Sequence, residues 1–377
     1  MPYFDHSATT PLRPEVLDVL HSVAERHFGN PSSIHRFGQK ARVIREEARR
    51  QVASAIGAEP HEIIFTGGGS ESNNLVLWNR IQRTRHHVIT TVIEHPSILK
   101  TLNQLKQFGV TYTAVPVDHH GRVDPRRIQD AITDKTGLIS VMMANNEVGT
   151  IQPVADIAAI AHDHHIPFHT DAVQVMGKLP LNVRELGCDY LSLSAHKFYG
   201  PKGIGLLYVK DRKSLRPLIA GGGQEHGLRS GTENIPALAA MGKAAELIRR
   251  EQAELSDHLI TLEAYFKDRI TAQIPGATFN GHPQHHLPGL VSLTLSGIPN
   301  NYMLINLDLL DMAVSSGSAC SSGSVEPSRI LRALGLSNES NLETLRISFG
   351  RDNTQDDVAA LVDAILSVVQ KFKQRRG

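Results

Sequence analysis

The chain has 377 residues, of which 41% are apolar and 20% are charged, and these proportions are typical of a soluble globular protein. Its 39 Lys and Arg side chains nearly balance 38 Asp and Glu side chains. Charge therefore favours neither nucleic acid nor an anionic membrane as a general partner. The N-terminus lacks a basic segment followed by an apolar run, and no stretch has the roughly 20 apolar residues of a membrane helix. We expect a cytoplasmic protein that makes no direct contact with a membrane or with nucleic acid.

Helical and strand-like patterns alternate from about residue 36 to residue 210, which predicts a doubly wound, mostly parallel sheet. The strand-like runs are EIIFT, HVITTVI, LISVMMA, IPFHT, DYLSLS and GIGLLYV. A long helical stretch over about 235–273 follows, and the remaining segments suggest a smaller α+β domain. We expect a large domain over 15–260 and a small domain made of 1–14 and 261–377.

Polar residues follow five successive strands of the predicted sheet. These residues are Gly69 and Ser70, Glu94 and His95, Asn145 and Asn146, Asp171 and Gln174, and His196 and Lys197. Open α/β sheets bind ligands at the carboxyl ends of their strands. One such residue would mean little, but five strand ends in succession predict a single site.

The glycine-rich segment TGGGSES lies between a predicted strand and a predicted helix. Free backbone N–H groups at a helix N-terminus bind phosphate, and the Ser70 hydroxyl would add a donor. A tight turn with a helix cap explains the glycines about equally well. The segment matches neither GxxxxGK[ST] nor GxGxxG, which argues against a nucleoside triphosphate and against a dinucleotide.

Lys197 follows a mostly apolar strand, where an unpaired ammonium group is costly. A Schiff base with a carbonyl cofactor would remove that cost, although a lysine that reaches solvent is the commoner case at such a position. Asp171 could keep a pyridine nitrogen protonated, or cap a helix, or do both. His95 and Gln174 could stack on, and hydrogen-bond to, a flat cofactor.

The two cysteines are too few for a disulfide framework, and their surroundings in the sequence differ. Cys188 lies in an apolar run and suits a core. Cys320 lies in AVSSGSACSSGSVEPSRIL, whose small polar residues predict a mobile loop with an accessible thiol. Arg346, in LRISFG, could bind a substrate carboxylate with two hydrogen bonds or form a structural salt bridge. The 20 histidines lack metal-ligand spacing, so we expect no structural metal.

Ten motifs in fixed order resemble the cysteine desulfurases of the NifS/IscS type, which belong to the class V aminotransferase family. They are YFDHSATTP, FGNPSSIHRFG, FTGGGSESNN, EHPS, MANNEVGTIQP, HTDAVQ, SLSAHKFYGPKGIG, GGGQEHGLRSGT, VSSGSACSSGSVEPS and LRISFG. The resemblance covers nearly the whole chain and implies an α/β fold of type I with pyridoxal 5′-phosphate (PLP) as cofactor. The phosphate loop departs from the family pattern, because GGGSES stands where an Ala-Thr pair precedes the glutamate. His-Pro also replaces the more familiar His-Lys.

For the cofactor, the resemblance implies a Schiff base on Lys197, with His95 stacked on the ring and assisting proton transfer. Asp171 would pair with the ring nitrogen and Gln174 with the ring oxygen. The residues that would hold the cofactor's phosphate are Gly69, Ser70, Ser194 and His196, joined by Thr232 of the other subunit of a homodimer.

For the substrate, the resemblance implies that Asn146, which also contacts the cofactor, and Arg346 bind L-cysteine. Cys320 would take the sulfur as a persulfide, leaving alanine, and would touch iron transiently as a cluster forms. An iron–sulfur scaffold or a tRNA-thiolating enzyme would accept the sulfur. A selenocysteine lyase or another enzyme of the same fold is the alternative, and the cysteine on its loop argues against it.

Overall fold

The computed structural model describes residues 1–81, 83–317 and 326–375, and within them a seven-stranded sheet forms the centre of the molecule. Its strands are β1 (Ile63–Thr66), β2 (His87–Thr91), β3 (Thr111–Val115), β4 (Thr136–Ser140), β5 (Phe168–Asp171), β6 (Tyr190–Ser194) and β7 (Gly205–Val209). They lie in the order β1-β7-β6-β5-β4-β2-β3, and only β7 runs antiparallel to its neighbours. The predicted doubly wound, mostly parallel sheet is confirmed.

Helices cover both faces of this sheet. The helices of the described residues are α1 (Pro14–Arg26), α2 (Arg36–Ala55), α3 (Gly69–Trp78), α4 (Pro96–Leu105), α5 (Pro125–Asp130), α6 (Val154–Asp163), α7 (Val183–Leu186), α8 (Ile235–Gln273), α9 (Asn300–Asp308), α10 (Arg329–Ala333), α11 (Asn338–Leu342) and α12 (Gln355–Gln374). Successive residues of β1 and β7 join different apolar clusters, one built with α3 and α4 and the other with α2, α6 and α8. Both faces are therefore buried, which is why these strands are apolar without alternation.

A second, antiparallel sheet contains β8 (Ala277–Asn280), β9 (Leu290–Leu295) and β10 (Thr344–Ser348) in the order β10-β9-β8. The N-terminal segment joins this region, since Tyr3 bridges to Ala313 and Asp5 bridges to Ser348. The expected smaller α+β unit is present. Its boundary at residue 260 remains a proposal, because α8 runs through that position as one continuous helix.

The turn between β1 and α3 brings two stretches of backbone unusually close. Gly68 has a φ of +147°, a conformation that side chains disfavour. A Cβ atom on Gly205 would lie 2.7 Å from the Gly68 Cα atom, so a side chain there would collide with the loop. Because neither Gly68 nor Gly205 has a side chain, Gly205 can lie directly against the glycine loop. The N-terminus of α3 therefore remains open at the edge of the sheet.

Candidate active site

A cavity of about 260 Å³ opens at the carboxyl ends of the parallel strands. Ten of the residues predicted from the sequence line it, whereas Glu94 and Asn145, which also follow strands of the sheet, are fully buried and do not line it. The ten predicted residues that line it are Gly69, Ser70, His95, Asn146, Asp171, Gln174, Ser194, His196, Lys197 and Arg346. Thr232 is exposed and lies outside this cavity, and Cys320 lies outside the described residues. The structure thus brings together residues that are up to 277 positions apart in the chain, and their individual roles remain predictions.

The Lys197 side chain is directed at the N-terminal segment of the chain. Its Nζ atom donates to the backbone carbonyl of Ser7 at 2.5 Å and to that of Ala8 at 2.8 Å. Both of these residues also line the cavity. The amine is therefore held inside the site by two main-chain oxygens, which the sequence reasoning did not anticipate.

Asp171 is the last residue of β5, and its buried carboxylate is held by two donors. Oδ2 accepts from Asn73 Nδ2 at 2.7 Å, and Oδ1 accepts from the backbone N–H of Val173 at 3.0 Å. Each oxygen of a carboxylate can accept two hydrogen bonds, so each retains acceptor capacity. The side chain can therefore cap the turn after the strand and still bind a further donor, which keeps both predicted roles open.

His95 caps the N-terminus of α4, where its Nδ1 atom accepts from the backbone N–H of Ser97 at 3.1 Å. The Ser97 hydroxyl lies 2.8 Å from the same nitrogen. Burial lowers the pKa of His95 below its usual range, Lys197 and Arg329 lower it further, and the negative charge of Asp171 opposes them. The imidazole is thus neutral at physiological pH.

Gln174 links the cavity to a buried lysine. Its Nε2 atom donates to the Ser7 carbonyl at 3.0 Å, and its Oε1 atom accepts from Lys178 Nζ at 3.2 Å. Burial lowers the pKa of Lys178 to about 7, and the nearby charges of Lys197 and Arg346 act in the same direction. Lys178 therefore orients the amide of Gln174 with its oxygen turned away from the Ser7 carbonyl.

The N-terminus of α3 forms one end of the site. Its first backbone N–H groups have no carbonyl one turn earlier within the helix, so they are available to an anion. Ser194 and His196 approach from the end of β6, and burial lowers the pKa of His196 to about 4. A second opening beside these residues reaches Lys202. This end combines backbone donors, hydroxyl groups and a nearby cation, which suits a phosphate.

Arg346 on β10 is shared between a salt bridge and the cavity. Nη2 donates to Asp5 Oδ1 at 2.8 Å, and Nη1 donates to the Asn146 carbonyl at 3.3 Å. Nε is buried and finds no acceptor within the described residues. The predicted salt bridge exists, and the guanidinium keeps one buried N–H without an acceptor, which is a costly state.

Sequence reasoning missed several residues of the site, and most of them lie inside motifs that it did identify. Ser7 and Ala8 belong to YFDHSATTP, Asn73 to FTGGGSESNN, and Ser97 to EHPS. The motifs identified these segments of the chain but did not show which of their atoms form hydrogen bonds in the site. Lys178 lies beyond the HTDAVQ motif, and no signal in the sequence pointed to it.

A histidine behind the cavity makes the stability of the protein depend on pH. His169 on β5 is fully buried between the hydroxyl groups of Ser140 and Ser192, and burial lowers its pKa to about 4. The unfolded chain binds this proton near pH 6.5, whereas the folded chain does not. We expect stability to fall by about 3 kcal/mol as the pH drops from about 6.5 to about 4.

The His169→Gln variant isolates this contribution, since glutamine does not titrate. Urea unfolding midpoints of both proteins, measured across the same pH range, should converge as the pH falls. Parallel curves would contradict the assignment of this pH dependence to His169.

Comparison with known proteins places the chain in a family. The profile of the aminotransferase class-V family matches residues 2–361. A cysteine desulfurase IscS of Dictyoglomus turgidum is 42% identical over 374 residues, which cover 98% of this chain and 95% of that protein. The chain belongs to the class-V aminotransferase family.

Solved structures agree with this membership. A NifS-like protein superposes with a TM-score of 0.92 at 34% identity, and the match covers 98% of this chain and 99% of that one. A structure described as SspA in complex with cysteine has a TM-score of 0.82 at 36% identity, over 93% of this chain and 99% of that chain. The class-V family, its fold of type I and the enzyme class predicted from the motifs are confirmed.

Proposed function

We propose that this class-V enzyme binds PLP through Lys197 and removes sulfur from L-cysteine, leaving alanine and a persulfide on Cys320. The observation that supports this most directly is one cavity that contains an amine, a buried carboxylate and the N-terminus of a helix. These three groups match the aldehyde, the ring nitrogen and the phosphate of the cofactor. The cysteine desulfurase relatives at 42% identity support the same reaction.

The described residues fit this cofactor. The acceptor capacity that remains on Asp171 suits a protonated ring nitrogen, and the second N–H of Gln174 suits the ring oxygen. Gly69 and Ser70 would contribute backbone donors to the phosphate, with Ser194 and His196 beside them. When bound, PLP supplies a conjugated ring that withdraws electrons from the α-carbon of the substrate.

The lysine has two tasks in this proposal. Lys197 would hold the cofactor through a covalent bond to its amine, and with substrate bound this amine would carry protons between neighbouring atoms of the substrate. The carbonyls of Ser7 and Ala8 accept hydrogen bonds from this amine and so keep it within reach of the cavity.

Arg346 and Asn146 would orient the substrate. Arg346 lines the cavity beside Asn146, and its guanidinium would bind the carboxylate of L-cysteine. The Cys320 thiolate attacks the substrate sulfur, so that an S–S bond forms while the C–S bond breaks. The electrons of the C–S bond remain with the substrate carbon, which takes up a proton and becomes the methyl group of alanine.

Exposed apolar side chains support the proposal of a homodimer. Phe28 and Ile34 are 75% and 88% exposed, and Phe37 and Val43 continue the apolar surface onto α2. The rings of Phe28 and Phe37 stack with centroids 5.3 Å apart. Apolar side chains clustered in this way mark protein interfaces. Thr232 is free to serve a neighbouring subunit, because it is exposed and lies outside its own chain's cavity.

The remaining predictions concern partners and location. Among the described residues, no helix combines the length and apolar character that a membrane crossing requires. No group of three or more potential metal ligands occurs among them either. Cytoplasmic location, transfer of sulfur to an iron–sulfur scaffold or a tRNA-thiolating enzyme, and transient iron contact at Cys320 are part of the proposal.

One experiment follows both the amino acid and the sulfur. The PLP-loaded protein is mixed with one equivalent of L-cysteine, alkylated, digested and analysed by mass spectrometry. We expect alanine and one added sulfur on the peptide that contains Cys320 in equal amounts, while the Cys188 peptide, the internal control, remains unmodified. Alanine without added sulfur on the Cys320 peptide would contradict the proposal.

A further inference from the structure

The two hydrogen-bond contacts of His95 Nδ1 determine which ring nitrogen holds the proton. The backbone N–H of Ser97 donates to Nδ1 at 3.1 Å, and a backbone N–H can only donate. Nδ1 must therefore present its lone pair. A proton on Nδ1 would face the Ser97 N–H directly and would break the cap of α4.

A chain of side chains sets the direction of the Ser97 hydroxyl. Asn73 Nδ2 donates to Asp171 Oδ2 at 2.7 Å and to Ser97 Oγ at 2.9 Å. The amide nitrogen must face Asp171, because a carboxylate only accepts hydrogen bonds. Since Ser97 Oγ accepts from Asn73, its own proton is free to point at His95 Nδ1, 2.8 Å away.

The charges around His95 favour the same protonation state. The N-terminus of α4 carries the positive end of the helix dipole, and the cations Lys197 and Arg329 approach from the loop after β6 and from α10. Asp171 at the end of β5 opposes them. Burial lowers the pKa of His95, as the two cations do, so the net effect keeps the imidazole uncharged.

We infer that His95 is fixed as the neutral tautomer with its proton on Nε2, and that Ser97 and Asn73 are the positioning residues that fix it. This inference deepens the proposed function and rests on it. Nε2 has no hydrogen-bond partner within the described residues, and the imidazole lines the cavity. His95 thus offers a fixed N–H donor to a molecule bound in the cavity.

The same geometry limits what His95 does in proton transfer. Nε2 already carries a proton, so it has no lone pair with which to accept another. Nδ1 connects only to Ser97 and then to Asn73, whose amide is not an acid. No proton can pass along this chain from Asp171 to His95. The role of base is left to Lys197, which differs from the proton transfer that the family resemblance assigns to the histidine.

The tautomer can be read directly by NMR. The full chain, labelled with ¹⁵N in its histidines, is examined with and without PLP by two-bond ¹H–¹⁵N correlation, and the His95→Gln variant identifies the His95 signals. We expect an unprotonated Nδ1 and a protonated Nε2 from about pH 6 to pH 8. A proton on Nδ1, or an exchanging mixture of both tautomers, would overturn the inference.

Substitutions at Ser97 test the positioning residue. Ser97→Ala removes one donor to the neutral ring, so the pKa of His95 should rise by about one pH unit. Protonation of Nδ1 breaks the contact with the Ser97 N–H that fixes the ring, so the acidic limb of kcat/KM should shift upward with this pKa. Ser97→Thr keeps the hydroxyl and should restore both values. Thr101→Val is the matched control, since it removes a hydroxyl on α4 that bonds to Asn74.

The outcomes separate this inference from the proposed function. An unchanged His95 pKa in Ser97→Ala would refute the role of Ser97. Failure of the protein to bind PLP would refute the proposed function instead, and it would leave the histidine spectrum of the unloaded chain interpretable.

Discussion

Replacement of Lys197 by alanine should abolish the yellow colour of the PLP-loaded protein after dialysis and lower cysteine turnover at least about 1,000-fold. Alanine has no amine with which to hold the cofactor or to move protons. The fold should survive, because the carbonyls of Ser7 and Ala8 that lose this donor lie at a cavity that water can enter. Absorption spectra and alanine formation measure the two effects.

The control for this substitution is Lys210→Ala. Lys210 follows β7, is half-exposed and lies near Asp189 at the surface. Its removal takes away a lysine of the same chain without touching the cavity, so colour and turnover should stay at wild-type levels. A Lys197→Ala protein that remains yellow and active after dialysis would show that the cofactor is held elsewhere.

Replacement of Cys320 by alanine should reduce persulfide formation to background and, like the replacement of Lys197, lower cysteine turnover about 1,000-fold. The colour of the PLP-loaded protein should be unchanged. Only a thiolate attacks sulfur efficiently, and alanine offers none. The change in absorption on addition of L-cysteine should persist, because the proposed function assigns substrate binding to Lys197 and Arg346 instead. Persulfide detection and the absorption change together separate substrate binding from sulfur transfer.

The second cysteine provides the matched control. Cys188 is buried in the main apolar cluster, and burial raises its pKa to about 12. Almost none of it is thiolate at neutral pH, so it cannot replace Cys320 as the nucleophile. Cys188→Ala should keep full persulfide formation. Loss of activity in this variant without unfolding would contradict the assignment of sulfur transfer to Cys320.

Much of the fold was predictable because long elements leave a periodic signal. The helix expected over about 235–273 is α8, Ile235–Gln273. The buried strands were found as apolar runs, since both faces of the sheet are covered. The edge strand β3 was missed, because only one of its residues is buried and its sequence, TYTAV, is partly polar.

The candidate site was predictable for a related reason. Parallel strands place their carboxyl ends at one edge, so polar residues that follow several strands must converge there. His95, Asp171 and Lys197 meet in one cavity as this rule requires. The ordered motifs added the identity of the family, which spacing alone does not provide.

The sequence by itself determined the fold class, the family and ten of the residues that surround the cavity, because periodicity and motifs can be read from the chain alone. Only the tertiary structure decided which atoms meet. Lys197 reaches the carbonyls of Ser7 and Ala8, and Asn73 joins Asp171 to Ser97. These contacts depend on distances and directions between segments that are far apart in the chain, and they set the hydrogen-bonding state of each group in the site.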